Sequence, residues 1–183
     1  IEAKFPEAVP KAPGNGDSIP ADSPTTPGDS DKTQKFPAFE GKDLDGNMIK
    51  SDELFSGNAV TVVNFWFTTC KPCVGELKDL EALNKKLMKK GGEVVGVNAY
   101  TLDGDKKAIA DAKKLLAKKG VSYKNIWFKS DSAAGKLTSG LYSFPTTYVI
   151  DSKGKVVGKP IVGSITSDEQ KKELNKLIEQ AMK

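Results

Sequence analysis

The sequence predicts an α/β fold in which helices flank a central mixed β-sheet on both faces. Apolar runs rich in β-branched and aromatic residues recur without polar alternation, as in strands that are buried on both faces. Segments between these runs carry an apolar residue every three or four positions, which is typical of amphipathic helices. Glycine-containing turns and helix-capping residues stand at the boundaries. The predicted element order is therefore β-α-β-α-β-α-β-β-α.

The first 35 residues differ in composition from the rest of the chain. They are dense in Pro, Gly, Ser, Thr and Asp and hold few large apolar side chains. Such a segment cannot bury enough apolar surface to offset the conformational entropy lost on folding. We therefore expect a flexible tether over residues 1–35 and one folded domain over residues 36–183. A tail without any function is the alternative.

The first half of the predicted domain contains two strand regions and two helices. The segment FEGKDLDGNMIK predicts a hairpin with the turn dipeptide Asp45-Gly46. Ser51 is a candidate cap for a short helix through Phe55. The run AVTVVNFWF predicts a buried strand, and Gly91-Gly92 ends the amphipathic helix that follows it. The apolar face of that helix consists of Leu77, Leu80, Leu83 and Leu87.

The second half continues the alternation of strands and helices. EVVGVNAY and YKNIWF predict two more strands, with an amphipathic helix over residues 104–119 between them and a short helix over residues 133–141 after them. TTYVIDSKGKVVGKPIVG predicts a hairpin that turns at residues 152–154. Ser167 and Gln170 form a candidate capping box for the last helix. The apolar stripe of that helix consists of Leu174, Leu177, Ile178 and Ala181.

Composition excludes several classes of function. Of the 183 residues, 28% are charged, and the net charge is only +4. All 28 basic residues are lysine, so the chain lacks the arginine that best suits bidentate phosphate or base recognition. No apolar run approaches the roughly 20 residues that span a bilayer. Histidine is absent and there are two cysteines, so one chain cannot close a Cys₄ or Cys₂His₂ metal site. We expect no nucleic-acid partner, no metal and no cofactor.

The two cysteines, Cys70 and Cys73, stand between a predicted buried strand and a predicted helix. Pro72 falls in the first turn of that helix, where proline is tolerated. Cys70 is therefore expected at the helix N-cap, where free amide groups and the helix dipole favour a thiolate. The pKa of a cysteine in such settings falls from about 8.5 to about 3.5–7.5. Cys70 is the predicted exposed nucleophile, and the more shielded Cys73 is the predicted resolving thiol.

Other uses of the pair remain open at this point. A structural disulfide would close too small a loop to restrict the unfolded chain much. Two chains sharing a metal through their cysteines is a second alternative. Lys71 adds positive charge beside Cys70, but an exposed lysine shifts a thiol pKa only modestly. A Cys-x-x-Cys sequence beside a strand–helix–strand unit is typical of a redox-active dithiol, which we favour.

From about residue 36 to its end, the chain resembles the thioredoxin-like proteins of the TlpA/ResA type, which are bacterial extracytoplasmic thiol–disulfide oxidoreductases. The resemblance rests on VVNFWFTTCKPC, with Asn64 and Trp66, on the GEL that follows it, and on FPTTYVIDSKGKVVG. Thr69 departs from the family, which usually has another aromatic residue there. The resemblance implies a thioredoxin-like fold with an N-terminal β-hairpin and an inserted βα unit, expected within residues 94–119.

The resemblance also implies roles for individual residues. Pro145 matches the proline whose preceding peptide bond is cis, and Glu76 matches the family's carboxylate one turn beyond the dithiol. Asn64 stands where cytosolic thioredoxins carry an aspartate, so Glu76 is the candidate for proton handling. A solvated helix carboxylate is the alternative for Glu76, and core packing is the alternative for Trp66. The candidate substrate-binding residues are Phe144, Pro145, Trp66, Lys71 and Pro72.

The predicted function is reduction of disulfides in partner proteins, such as apocytochrome c or oxidised surface proteins. A dithiol oxidase and a redox-inert peptide-binding adaptor are the alternatives. A peroxiredoxin would need an arginine and a threonine three residues before the nucleophile, where Phe67 stands. A copper chaperone of the Sco type would need a wider cysteine spacing and a histidine.

The resemblance also implies where the protein works. We expect a monomer on the outer face of the cytoplasmic membrane that receives electrons from a membrane dithiol carrier. A signal or anchor segment is expected just upstream of Ile1.

Overall fold

The structure is a computed structural model that describes residues 34–183. The chain divides into two units, Ile1–Lys32 and Thr33–Lys183, and the elements given below belong to the second. The predicted tether lies outside the described residues except at its end. There the Gln34 carbonyl accepts the Val156 N–H over 2.8 Å, and Lys35 pairs with Lys155. These two residues form part of the folded domain, although their composition suggested the tether.

Seven strands form one mixed sheet in the described part of the chain, in the order β2-β1-β5-β4-β3-β6-β7. The central strands β3, β4 and β5 are parallel, and every other pairing is antiparallel. The strands are β1 (Glu40–Asp43), β2 (Met48–Lys50), β3 (Val60–Trp66), β4 (Glu93–Asn98), β5 (Lys124–Trp127), β6 (Thr146–Asp151) and β7 (Ile161–Val162). The predicted N-terminal hairpin is therefore the β1–β2 pair, which joins the sheet through β5.

Helices cover both faces of this sheet, and the predicted fold class is confirmed. The α-helices are α1 (Ser51–Ser56), α2 (Lys71–Gly75), α3 (Leu77–Met88), α4 (Lys106–Lys118), α5 (Ala133–Ser139) and α6 (Asp168–Ala181). A 3₁₀ segment, Ala99–Gly104, joins β4 to α4. One core layer packs residues of α3, α4 and α6 against the sheet, and the cysteine pair belongs to it. The other layer contains residues of α1 and α5 and the aromatic residues Phe36 and Phe39.

Three local details differ from the sequence prediction. Ser51 is not a cap but the first residue of α1, and its hydroxyl accepts the Phe39 N–H over 2.9 Å. The helix after the cysteines is interrupted at Glu76, which separates α2 from α3. Ser167 caps α6 by accepting the Gln170 N–H at 3.2 Å, but the Gln170 side chain bonds to the Val162 carbonyl instead of completing the box.

Candidate active site

Cys70 and Cys73 form a disulfide at the carboxyl end of β3, with 5.2 Å between their Cα atoms. Cys70 is the N-cap of α2 and has extended backbone angles, as the sequence predicts. Its sulfur accepts the Cys73 backbone N–H over 3.3 Å. The amino end of α2 therefore points at the Cys70 sulfur, which is the direction that stabilises negative charge there.

The predicted exposure of Cys70 is wrong for the disulfide form. Cys70 is only 5% exposed, and Cys73 is fully buried. Both belong to the core layer beneath α3 and α6, and the rings of Phe67 and Phe144 pack against that layer. The disulfide thus lies at the edge of the core, and Cys70 is the one of its two residues that reaches the surface.

An aromatic rim surrounds this edge. The Phe67 ring lies 5.3 Å from the ring of Phe144 and 5.3 Å from the ring of Tyr100. The Thr69 hydroxyl and the Tyr100 hydroxyl are 3.1 Å apart. Tyr142, two residues before Phe144 in the chain, is 95% exposed, which is unusual for a large ring. The sequence prediction missed Phe67 and Tyr100 as rim residues. Tyr100 follows the carboxyl end of a parallel strand, where ligand sites of α/β sheets lie, and this signal was available.

The residues predicted to bind substrate differ in exposure to solvent. The Phe144–Pro145 peptide bond is cis, which confirms the expectation from the family. Lys71 and Pro72 are exposed, whereas Phe144 is half-buried and Pro145 is buried.

Trp66 is fully buried, and its indole N–H donates to Asn125 Oδ1 over 2.9 Å. Trp66 cannot touch a docked substrate, so this assignment is corrected to core packing.

Glu76 is fully buried at the break between α2 and α3. Its Oε1 accepts the Asn64 side-chain amide over 2.8 Å, and its Oε2 accepts the Ile165 backbone N–H over 2.9 Å. The Glu76 backbone N–H donates to the Cys73 carbonyl over 3.3 Å. A solvated helix carboxylate is therefore excluded.

The environment of Glu76 changes its ionisation. Burial raises the pKa of Glu76 above its ordinary value, and the negative charge of Asp79 adds to this effect. The hydrogen bonds from Ile165 and Asn64 oppose the rise without cancelling it. A carboxyl group with a raised pKa exchanges its proton more readily near neutral pH than an ordinary glutamate does.

The profile of the AhpC/TSA family matches residues 33–159. The chain belongs to this family. Its relatives include the thiol-disulfide oxidoreductase ResA of Bacillus thuringiensis (strain Al Hakam), which is 33% identical over 152 residues and matches 81% of this chain and 82% of its own. The thioredoxin-like protein YneN of Bacillus subtilis (strain 168) is 31% identical over 150 residues, with 78% of each chain covered.

Solved structures agree with this family assignment. A Chlorobium tepidum protein described as thiol:disulfide interchange protein DsbE superimposes with a TM-score of 0.66 at 29% identity. The match covers 84% of this chain and 99% of that one. Together with the Cys70–Cys73 disulfide, these relatives identify the AhpC/TSA-family protein as a thiol–disulfide oxidoreductase.

Over residues 34–183, no group of three or more His, Cys, Asp or Glu side chains is arranged to hold a metal ion. None of the helices in this range is long and apolar enough to cross a membrane.

Proposed function

We propose that this oxidoreductase reduces disulfide bonds in partner proteins. The observation that carries the proposal is that, apart from the amino end of α2, few groups among the described residues are placed to stabilise a thiolate on Cys70. Within residues 34–183 a single hydrogen bond reaches the Cys70 sulfur, and Cys70 is largely buried. Glu76, with its negative charge when ionised, lies three residues beyond Cys73. Dithiol proteins that act as strong oxidants stabilise their reduced form through the thiolate of the nucleophilic cysteine. Weak stabilisation of that thiolate therefore favours a protein that acts as a reductant.

The reaction transfers two electrons in two exchange steps. The Cys70 thiolate attacks one sulfur of the substrate disulfide, that bond breaks, and the first substrate thiolate leaves and takes a proton from solvent. Glu76 then accepts the proton of the Cys73 thiol. The Cys73 sulfur attacks Cys70 in the mixed disulfide, and the second substrate thiolate leaves as the Cys70–Cys73 disulfide forms. The substrate is reduced and the enzyme dithiol is oxidised.

The proposed substrate surface is the edge at which Cys70 reaches the surface. We assign to this surface the exposed Lys71 and Pro72, the half-buried Phe144 with Pro145, and the exposed ring of Tyr142. This mixed aromatic and cationic surface suits an extended polypeptide that carries a cysteine. The disulfides of apocytochrome c and of oxidised surface proteins are the substrates that the TlpA/ResA resemblance suggests.

The same resemblance supports the proposed location and electron donor. We propose that the protein acts outside the cytoplasm, tethered to the membrane through residues 1–35, and is reduced by a membrane dithiol carrier. Tethering would raise the effective concentration of both redox partners. Fractionation of cells that express the native precursor tests the location, and recovery in the cytosol alone would overturn it.

Reduction of insulin by the protein, with dithiothreitol as electron source, tests the activity. The wild type is expected to accelerate precipitation of the insulin B chain, whereas Cys70→Ser and Cys73→Ser are expected to match the uncatalysed rate. A redox-inert adaptor would give the same rate for all three proteins. That result would overturn the proposed function.

A further inference from the structure

A row of buried residues crosses the sheet beneath the dithiol. The strand registers place four residues side by side on β6, β3, β4 and β5, namely Thr147, Asn64, Gly96 and Asn125. Asn64 donates to Glu76 and also to the Thr147 hydroxyl, at 3.1 Å, so the row is connected to the proposed proton acceptor. Polar side chains in the middle of a buried sheet are costly unless their hydrogen-bonding groups are satisfied.

Three buried polar atoms around this row have no hydrogen-bond partner within residues 34–183. They are Asn64 Oδ1, Asn125 Nδ2 and the Tyr123 hydroxyl. In native proteins the large majority of buried side-chain polar atoms are paired with protein groups or ordered water. One of the three is an acceptor, one is a donor, and the hydroxyl is both. Together they offer the set of partners that a buried water molecule requires.

Gly96 leaves room for the side-chain amide of Asn125 to lie towards that of Asn64. A β-carbon at position 96 would overlap the Asn125 side-chain amide, so this amide lies across β4 towards β3. Alternate strands are about 10 Å apart, and the leaning Asn125 side chain shortens the gap to Asn64. The Trp66 indole fixes Asn125 Oδ1 as an acceptor, which leaves Nδ2 as the free donor.

Tyr123 connects this row to the opposite end of the sheet. Burial raises the pKa of Tyr123, and the nearby carboxylates of Glu76 and Glu81 raise it further, so the hydroxyl stays protonated. Tyr123 precedes β5, whereas Cys70 follows the end of β3, which runs in the same direction. Four consecutive residues line an open cleft of about 760 Å³ at that end, namely Ser122, Tyr123, Lys124 and Asn125.

We propose that a small water cluster, bound by Asn64, Asn125 and Tyr123, connects Glu76 to this cleft and carries protons between the carboxyl group and solvent. The inference rests on the disulfide reduction proposed above. It assigns a proton exit at the end of the sheet remote from the substrate. Asn64 and Asn125 are positioning residues for the water, and Tyr123 takes part in the transfer.

The proposed proton exit would return Glu76 to its ionised form after each turnover. Glu76 takes a proton from Cys73 in each turnover and must release it before the next one. The carboxyl group gives its proton to a water molecule while the Tyr123 hydroxyl accepts one proton and donates another, so the hydroxyl ends unchanged. A bound substrate covers the Cys70 edge during this step, but the rear cleft stays open.

Other charged groups around the proposed route are paired with ions or hydrogen-bonding groups of the protein. On α3, Asp79 lies 3.8 Å from Lys171 of α6. At the cleft, Lys124 lies 3.3 Å from Glu93. The Glu81 carboxylate accepts the backbone N–H groups of Ser122 and Tyr123, and the hydrogen bonds from these residues outweigh its burial and lower its pKa. Glu81 therefore stays ionised while Glu76 exchanges its proton.

Tyr123→Phe tests the route in the full chain, with Tyr148→Phe as the matched control because Tyr148 is a buried tyrosine of the other core layer. Release of the Glu76 proton between turnovers is followed as the rate of multiple-turnover disulfide reduction, measured across pH in H₂O and in D₂O. Loss of the relay hydroxyl should slow this step by about tenfold, less than the 10²–10⁴ expected for loss of a catalytic acid or base. In Tyr123→Phe the solvent isotope effect should differ from that of the wild type, whereas the rate of Cys70 alkylation should be the same. Tyr148→Phe should behave like the wild type.

Two outcomes would overturn the inference. One is an unchanged rate and isotope effect in Tyr123→Phe. The other comes from a high-resolution crystal structure of the wild type, in which no ordered water lies within hydrogen-bond distance of two of the three atoms. The crystal structure decides the matter even if Tyr123→Phe fails to fold. Failure of the wild type to reduce insulin would overturn the proposed function instead, so the two failures are distinguishable.

Discussion

Asn64 and Glu76 form a fully buried hydrogen bond, with 2.8 Å between the Asn64 amide nitrogen and a Glu76 carboxylate oxygen. Because an asparagine cannot ionise, this pair places one titrating carboxylate in the core layer of the cysteines. The amide donor holds that carboxylate in a fixed orientation and moderates the rise in its pKa. This arrangement suits the proposed role of Glu76 as the proton acceptor of the dithiol, since Asn64 adds no second negative charge.

Replacing Glu76 with glutamine is expected to slow thiol–disulfide exchange without unfolding the domain. Glutamine has nearly the same shape and can still accept the Ile165 N–H, but it cannot take the Cys73 proton. The rate of the second exchange step should fall by about 10²-fold, within the range for general acid–base groups. Stopped-flow tryptophan fluorescence measures this step. Glu173→Gln, the same change at an exposed carboxylate of α6, is the control, and equal rates in the two variants would contradict the assignment.

The stability of the disulfide form should depend on pH through Glu76. Since the pKa of Glu76 is raised above its ordinary 4.5 in the folded protein, the folded state binds this proton more tightly than the unfolded state does. The resulting stabilisation is fully present below about pH 4.5 and is lost as pH rises through the folded-state pKa. Urea unfolding at several pH values should show the wild type losing stability relative to Glu76→Gln over this window. Parallel pH profiles for the two proteins would refute the buried, protonatable carboxylate.

The two thiols of the reduced protein should react unequally. Cys70 caps α2 and reaches the surface, whereas Cys73 is fully buried, so iodoacetamide should modify Cys70 first. Cys73→Ser should then accumulate mixed disulfides through Cys70, because the resolving thiol is absent. Mass spectrometry of partially alkylated protein identifies the modified residue. Faster alkylation of Cys73 would reverse the assigned roles.

Tyr142 should affect substrate affinity and leave stability unchanged. Its ring is 95% exposed, so Tyr142→Ala should change the free energy of unfolding by less than about 0.5 kcal/mol. The KM for a protein substrate should rise several-fold at constant kcat if the ring contacts substrate. Met48→Ala, at an exposed apolar residue on the edge strand β2, is the matched control. An identical KM in Tyr142→Ala and wild type would remove Tyr142 from the substrate surface.

The sequence predicted the elements whose signals are local. The β-branched run of β3, the glycine turn of the first hairpin and the proline between the two cysteines are signals carried by a few adjacent residues, and all three match the structure. The position of Cys70 at a helix N-cap follows from the same local pattern.

The buried polar contacts were not predictable from such signals. The Glu76 carboxylate is satisfied by the backbone of Ile165, which is 89 residues away. The Trp66 indole is satisfied by Asn125 on another strand. Neither contact leaves a periodic pattern in the sequence. For the same reason the helical periodicity predicted one continuous helix, whereas the structure breaks it at Glu76.

The midpoint potential of the Cys70–Cys73 couple tests the central claim most directly. Equilibration with glutathione or dithiothreitol buffers, followed by alkylation and mass spectrometry, gives this value. Because a single hydrogen bond reaches the Cys70 sulfur within residues 34–183, we expect a potential below about −230 mV, towards that of thioredoxin at about −270 mV. A potential near the roughly −120 mV of strong dithiol oxidants would show that the protein forms disulfides instead of reducing them.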